Sequence, residues 1–164
     1  MLQSVSAYTS YLESIRRRTL NYIRAVPAEQ IGWSPKPGEF SCGDIIRHLG
    51  AAEKMFAGVV TEGVWRYPGH TAKGEESLEA AISALENDHH IALNQLKRLS
   101  DQELYESQPS IDGQPLKVWR WLMALIEHEI HHRSQLAVYL TLIGVGAPHI
   151  FGLGVEDIIA RTSS

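Results

Sequence analysis

Apolar side chains recur every three or four positions along most of the chain, with polar residues between them. This spacing places the apolar residues on one face of a helix. Because no strand pattern and no internal repeat accompany it, we expect an all-α fold, specifically a four-helix bundle. The pattern predicts four helices, which run from about residue 3 to Val26, from Ser41 to the glycines before Trp65, from about Glu75 to Leu99, and from Leu116 to Ile143.

The segments between the predicted helices carry turn and capping residues. Ser41 and Asp44 match a capping box, in which each side chain accepts a hydrogen bond from the other residue's backbone amide. Asp112-Gly113 favours a tight turn, but nearby prolines limit strand pairing, so we expect at most a short hairpin. We expect the loop from Val64 to Gly74 to form a functional rim or a packing lid. The apolar tail after the fourth helix should pack back on the core, and Val155 to Arg161 should add a last helical turn or two.

Histidines on the predicted apolar faces are the main candidates for chemistry. His128 and His132 are four residues apart, so their side chains share one helix face, along a line that is otherwise apolar. His48 lies on the apolar side of the second helix. A histidine that points inward needs partners for its ring nitrogens, either a metal ion or other core groups. Three inward histidines on two helices favour a metal site, although a purely structural role in the core stays open.

Further polar residues near these histidines are candidates for other roles. His89 lies on the apolar face of the third helix, where it can be a fourth ligand, a substrate contact or a core histidine, whereas His90 should be exposed. Glu53 and Glu129 are candidate catalytic proton carriers or ligand-orienting groups, although helical glutamates are more often solvated or capping residues. The candidate substrate-binding residues are Gln135, Tyr139 and His89.

Composition and charge narrow the class of protein. The chain has 164 residues, 44% of them apolar and 21% charged, which is typical of a soluble globular protein, and we expect a single domain over residues 1–164. A net charge of −4 gives no reason to expect nucleic acid or an anionic membrane as partner. The only basic run, Arg16-Arg17-Arg18, is interpreted as a solvated helix face. A single cysteine, Cys42, excludes an internal disulfide. With no signal-peptide or membrane-span pattern, we expect a cytoplasmic protein.

The order of these motifs resembles a known family. His48 follows Ile45-Ile46-Arg47 and precedes Glu53, and the fourth helix carries His128-x-x-x-His132-Arg133-Ser134-Gln135. With the Trp33-to-Gly38 connection and the Phe151-Gly152-Leu153 tail, this arrangement resembles the DinB/YfiT-like superfamily of metal-dependent enzymes over nearly the whole chain. Ser134 stands where a glycine is common in that family, a departure that leaves the histidines unaffected.

The resemblance implies a four-helix bundle with one divalent metal ion bound by His48, His128 and His132. Similar proteins include S-transferases and isomerases that use low-molecular-weight thiols. Imidazole ligands admit zinc, nickel, iron or cobalt without choosing among them, and of these we expect zinc or nickel first. We therefore expect a metal-dependent enzyme, a transferase or hydrolase, that activates a small thiol or water for attack on a small-molecule substrate. The alternatives are a non-catalytic, stress-related metal- or ligand-binding bundle and an interaction module. Surplus apolar residues such as Trp65, Trp119 and Phe151, together with the resemblance, predict a homodimer.

Overall fold

Helices account for most of the chain in the computed structural model, which describes residues 2, 4–72, 74 and 77–162. None of the helices in these ranges is long and apolar enough to span a membrane. Short 3-10 turns cover Ala28–Gln30 and Glu103–Tyr105, and two antiparallel strands, β1 (Ser107–Gln108) and β2 (Leu116–Lys117), form a minimal hairpin. The described helices are α1 (Val5–Arg24), α2 (Cys42–Glu62), α3 (Leu78–Leu96), α4 (Val118–Leu142) and α5 (Val155–Thr162).

The capping box predicted for the second helix is confirmed. The Ser41 hydroxyl oxygen accepts a hydrogen bond from the Asp44 amide at 3.1 Å, and the Asp44 carboxylate accepts one from the Ser41 amide at 2.9 Å. At the other end, Gly63 has φ 68°, a left-handed conformation that turns the chain out of α2. The helix that carries His48 is therefore fixed at both ends by local sequence.

The remaining helix boundaries differ from the predictions by a few residues. The predicted starts near residue 3 and at Glu75 lie outside the described residues, and α3 follows a cap at Ser77. α4 begins two residues later than predicted, because Leu116 and Lys117 pair with β1. The prediction of at most a short hairpin before this helix is confirmed.

The four long helices pack around two apolar clusters, with α2 against α3 and α4, and α1 against α4 and α3. One cluster contains the first half of α1 and of α4 and the second half of α2 and of α3, and the other cluster contains the opposite halves. Between the clusters, each long helix contributes buried or half-buried polar residues to a middle layer: Arg16 and Thr19 from α1, His48 and Glu53 from α2, His89 from α3, and His128, Glu129, His132 and Arg133 from α4.

Two predictions about the periphery are wrong in part. Arg16 is only 2% exposed, so the basic run is not a uniformly solvated face, although Arg17 is exposed. Arg16 follows Leu12 by one helical turn, and this spacing already placed it on the apolar face of α1.

The tail packs Ala147 against the core, but the Phe151 side chain is 76% exposed. The guanidinium carbon of Arg18 lies 5.4 Å from the centroid of the Phe151 ring. The last helical turns form as predicted, in α5.

Candidate metal centre

Three histidines from two helices meet in the middle polar layer. His48 lies in the second turn of α2, and His128 and His132 lie one turn apart on α4. The Nε2 atoms of His48 and His128 are 2.9 Å apart, and one ring nitrogen from each of the three residues falls within a group no wider than 4.8 Å. The structure therefore brings together the three histidines that the sequence analysis proposed as ligands.

The surroundings of these imidazoles favour their neutral form. Burial, followed by the neighbouring histidines, lowers the pKa of His48 to about 4. The same causes, with a smaller contribution from Arg16, lower the pKa of His128 to about 3. Burial also lowers the pKa of His132, partly opposed by its hydrogen bond to Gln135. Near neutral pH the three rings are uncharged and keep the lone pairs that metal binding requires.

A hydrogen bond at Nδ1 orients the ring of His132. The Nδ1 atom of His132 lies 2.9 Å from Gln135 Oε1, which only accepts, so Nδ1 carries the proton and Nε2 keeps its lone pair. Gln135 donates from Nε2 to the Tyr139 hydroxyl at 3.0 Å, and Tyr139 donates to the Phe40 carbonyl at 3.1 Å. The structure thus assigns Gln135 and Tyr139 to a chain behind His132, while their proposed contact with substrate stays a prediction.

The donor set fits a divalent transition-metal ion. Two nitrogens bound to tetrahedral zinc at about 2.0–2.1 Å lie about 3.3 Å apart. The 2.9 Å separation between His48 and His128 needs only a small adjustment, whereas the group as a whole, up to 4.8 Å wide, must contract around the ion. Imidazole nitrogens suit zinc, nickel, iron and cobalt alike. Three protein ligands are also fewer than the four of a closed structural zinc site, and they leave room for a further ligand.

A second polar cluster lies beside the histidines and consists of Arg16, Glu53, Glu129 and His89. Arg16 Nη2 lies 2.7 Å from Glu53 Oε2 and 2.9 Å from Glu129 Oε2, and His89 Nδ1 lies 2.7 Å from Glu53 Oε1. Burial opposes ionisation of Glu53, but Arg16 and His89 together hold the pKa of its carboxyl below the usual value. We call these four residues the ionic cluster.

The ionic cluster corrects the expectation that helical glutamates at these positions are solvated or capping. Glu53 is 0% exposed and Glu129 is 1% exposed, and both carboxylates are paired with Arg16. His89 bonds to Glu53 and is not among the three converging histidines, which agrees with its interpretation as a core histidine bonded to a neighbour. The catalytic role considered for the two glutamates stays a prediction.

The loop after α2 covers the site, and it contains two polar residues that the sequence analysis did not identify. The Tyr67 hydroxyl lies 2.6 Å from His48 Nδ1 and 2.6 Å from His70 Nδ1. Phe40, from the connection before α2, places its ring centroid 4.3 Å from that of His70 and 5.3 Å from that of His48. A tyrosine and a histidine in the loop that directly follows the His48 helix were the available sequence signal.

An aromatic-lined cavity of about 410 Å³ lies between Trp65, Trp121 and the loop of the hairpin. Its walls include Trp65 and Trp121, whose ring centroids are 5.1 Å apart in an edge-to-face contact, and residues of the hairpin loop such as Ile111. The Phe56 ring packs near both the cavity and the histidines, since its centroid lies 6.3 Å from that of Trp121 and 6.2 Å from that of His128. His90 is exposed, as predicted, and His131 on α4 is exposed as well.

These features define the class of this protein: it is mostly helical, and three histidines lie between its helices, where they could hold a metal ion. The model of the DinB family matches residues 1–160, and the chain therefore belongs to the DinB family. This membership confirms the resemblance inferred from the histidine motifs.

Solved structures with the same fold include two DinB-like proteins. One, from Bacillus subtilis, is 20% identical with a TM-score of 0.72, and the match covers 88% of this chain and 96% of that one. Another, from Bacillus cereus, is 21% identical with a TM-score of 0.72, over 91% and 99% of the two chains. An uncharacterised protein of Clostridium difficile is 10% identical with a TM-score of 0.63, over 87% and 99%. A search of curated proteins finds no match.

Proposed function

We propose that this protein is a metal-dependent enzyme, built on a four-helix bundle, that activates a low-molecular-weight thiol or water for attack on a small-molecule substrate. The observation that carries the proposal is the convergence of His48, His128 and His132 as neutral donors with lowered pKa values. A divalent ion held by three neutral ligands keeps its positive charge and can lower the pKa of a thiol or water or polarise a carbonyl.

The chain's own residues contribute orientation and shielding. Gln135 fixes the tautomer of His132, and Phe40 packs beside His48, so the imidazole nitrogens are presented with little freedom to rotate. The ionic cluster pairs Glu53 and Glu129 with Arg16, and neither glutamate belongs to the group of side chains placed to hold a metal ion. This division of roles favours an open site supplied by imidazoles alone.

The aromatic-lined cavity supports a small-molecule substrate. Its volume of about 410 Å³ lies within the usual range of about 300–1,000 Å³ for ligand pockets, and its indole walls suit an apolar or aromatic group. A second cavity, of about 480 Å³, has a lining that includes Thr61, Glu62 and Arg98, and none of the three histidines lines either cavity. We favour the aromatic-lined cavity because its Trp121 wall and His128 both pack near Phe56, whose ring centroid lies 6.3 Å from that of Trp121 and 6.2 Å from that of His128.

Self-association as a homodimer is part of the proposal. Exposed apolar side chains at Phe151, Val155 and Ile158 gather on the C-terminal segment and provide surface that a second copy can cover. Of the other residues considered for this role, Trp65 and Trp119 are partly buried within the chain. Light scattering at micromolar concentrations tests the idea, and a monomer mass across that range would remove it.

The test of function begins with metal analysis of protein purified without a histidine tag. Metal-loaded protein is then offered small thiols with electrophilic acceptors and, separately, hydrolysable esters and amides. Turnover of thiols alone selects a transferase, and turnover by water alone selects a hydrolase. Tight binding of a small molecule without turnover under any metal would replace the enzyme proposal with the alternative of a non-catalytic binding protein.

A further inference from the structure

We propose that Tyr67 and His70 are positioning residues for the metal centre: through a one-way hydrogen-bond chain they hold His48 in the tautomer that leaves Nε2 free to bind metal. The inference rests on the metal site of the proposed function. It concerns residues in the loop after α2, which lie 19 and 22 positions beyond His48 in the sequence.

The direction of the chain follows from the number of hydrogens available. Tyr67 has one hydroxyl hydrogen, and its oxygen lies 2.6 Å from Nδ1 of both His48 and His70, so it can donate to only one of the two rings. The Nε2 atom of His48 faces Nε2 of His128 and needs its lone pair to bind metal. The proton of neutral His48 is therefore on Nδ1, which donates to Tyr67, and Tyr67 in turn donates to Nδ1 of His70.

The position of Tyr67 depends on contacts made by its own loop. The His70 carbonyl accepts a hydrogen bond from Arg47 Nε at 2.6 Å, which attaches the loop to α2 one residue before His48. Trp65 donates from Nε1 to the Pro109 carbonyl at 2.8 Å, which attaches the other side of the loop to the hairpin. Because Tyr67 itself is 40% exposed, its hydroxyl bonds rather than burial of its ring fix its role.

His132 and His48 are oriented by hydrogen-bond partners from different parts of the chain. His132 is oriented by Gln135, three residues away on its own helix, whereas His48 is oriented by a loop that must fold over it. Removing such an outer partner of a metal-bound histidine typically costs about 10–100-fold in metal affinity. Loss of the Tyr67 hydroxyl should fall in this range without unfolding the protein.

The experiment compares Zn²⁺ affinity of the full chain and its variants by competition with a chromophoric chelator. Tyr67→Phe should bind Zn²⁺ about 10–100-fold more weakly than the natural sequence. Tyr105→Phe is the matched control, because Tyr105 is 42% exposed and its hydroxyl bonds to the Leu2 carbonyl, away from the histidines. Equal affinity for Tyr67→Phe and the control would overturn the proposal.

Variants of His70 separate its hydrogen-bond role from simple packing. His70→Ala removes the acceptor and should weaken Zn²⁺ binding, whereas the side-chain oxygen of His70→Asn can take the place of Nδ1 and should restore most of the affinity. Weak binding by both variants would show that only the ring's packing against Phe40 matters and would contradict the hydrogen-bond chain.

Nitrogen-15 NMR of the zinc-loaded protein tests the tautomer directly, independently of any turnover. The natural sequence should show His48 protonated at Nδ1 and His70 protonated at Nε2, and a His70 protonated at Nδ1 would overturn the proposed direction. If the natural sequence itself binds no divalent metal, the proposed function fails. If it binds metal and Tyr67→Phe binds equally well, only the role of Tyr67 fails.

Discussion

Two polar clusters lie side by side in the middle layer of this protein, and they are built on opposite principles. In the ionic cluster, one guanidinium lies against two carboxylates, and His89 completes the partners of Glu53. In the metal centre, three imidazoles face one another with no carboxylate in the group. Opposite charges pair inside the first cluster, although Arg16 Nε and Nη1 and Glu129 Oε1 have no hydrogen-bond partner among the described residues, whereas the second cluster contains metal-binding nitrogens of a single type.

Neighbouring residues of one helix belong to these two different clusters. His128 and Glu129 are adjacent on α4, but one residue turns a helix by about 100°, so their side chains enter different clusters. Burial works against the charge of Glu53 and of His48 alike. Arg16 offsets this effect at Glu53, while the neighbouring histidines reinforce it at His48. We infer that the ionic cluster mainly maintains the structure and that the histidine cluster is kept for a ligand.

The largest effect should come from removing the centre of the ionic cluster. Arg16→Leu leaves two carboxylates buried without their common partner, and breaking a buried ion pair in this way costs about 3–5 kcal/mol of stability. Urea unfolding measures the loss. Arg17→Leu, the adjacent exposed arginine, should stay within about 0.5 kcal/mol of the natural sequence. Equal stabilities for the two variants would mean that the ionic cluster does not maintain the structure.

Removing a histidine should have the opposite profile, with function lost and the fold kept. We expect His48→Ala, His128→Ala and His132→Ala each to weaken metal binding by more than about 100-fold, beyond the loss typical of an outer-partner change, and to abolish metal-dependent turnover. Metal titration and circular dichroism check the two parts. His131→Ala and His90→Ala, both exposed, are the controls. Unchanged metal binding in any one of the first three variants would remove that residue from the ligand set.

Acid should weaken the metal-free protein through the histidine cluster. The pKa of His48 is about 4 and that of His128 is about 3 in the folded protein, against about 6.5 for each when unfolded. Below about pH 6.5 the unfolded state therefore binds more protons than the folded state. Stability is therefore fully present above about pH 6.5 and is lost as the pH falls towards 4. Allowing for solvent screening of these partly exposed rings, we expect a loss of about 2 kcal/mol.

Urea unfolding of the metal-free protein between pH 7 and pH 4 measures this loss. A His48→Gln, His128→Gln double variant should show a clearly flatter profile, and a profile as steep as that of the natural sequence would assign the effect to other groups. The lowered pKa values also move proton competition for the metal site below the range of an unperturbed histidine, so metal should remain bound well below pH 6.5.

The smallest effect concerns the cap of α2, the helix that contributes to both clusters. Ser41→Ala removes the capping hydroxyl and should lower stability by about 1 kcal/mol. Affinity for Zn²⁺ should change little, because the histidine geometry depends on packing in the folded state. Thermal unfolding compares this variant with Ser10→Ala, at an exposed position within α1. A large loss of metal affinity on removing the cap would show that the cap itself sets the position of His48.

Periodicity alone was sufficient to predict several parts of this protein. It identified four long helices and three histidines on apolar faces, and a local motif identified the capping box at Ser41, because each of these features depends on residues within one or two helical turns. From sequence, Arg16 is placed among the solvated residues of α1, although it lies one helical turn after Leu12, because without a visible partner its charge favours solvent. A buried arginine is predictable only when the carboxylates that neutralise it are known.

Tertiary structure decided which residues meet. Arg16 and Glu53 are 37 positions apart, His48 and His128 are 80 apart, and a helical period contains no information about which face of a distant helix lies opposite. The loop after α2 is irregular, so nothing in its pattern predicted that Tyr67 would reach His48. The local sequence therefore determined the helices and the inward direction of the histidines, while long-range packing determined the hydrogen-bond and ionic partners that distinguish a candidate metal centre from a structural ion pair.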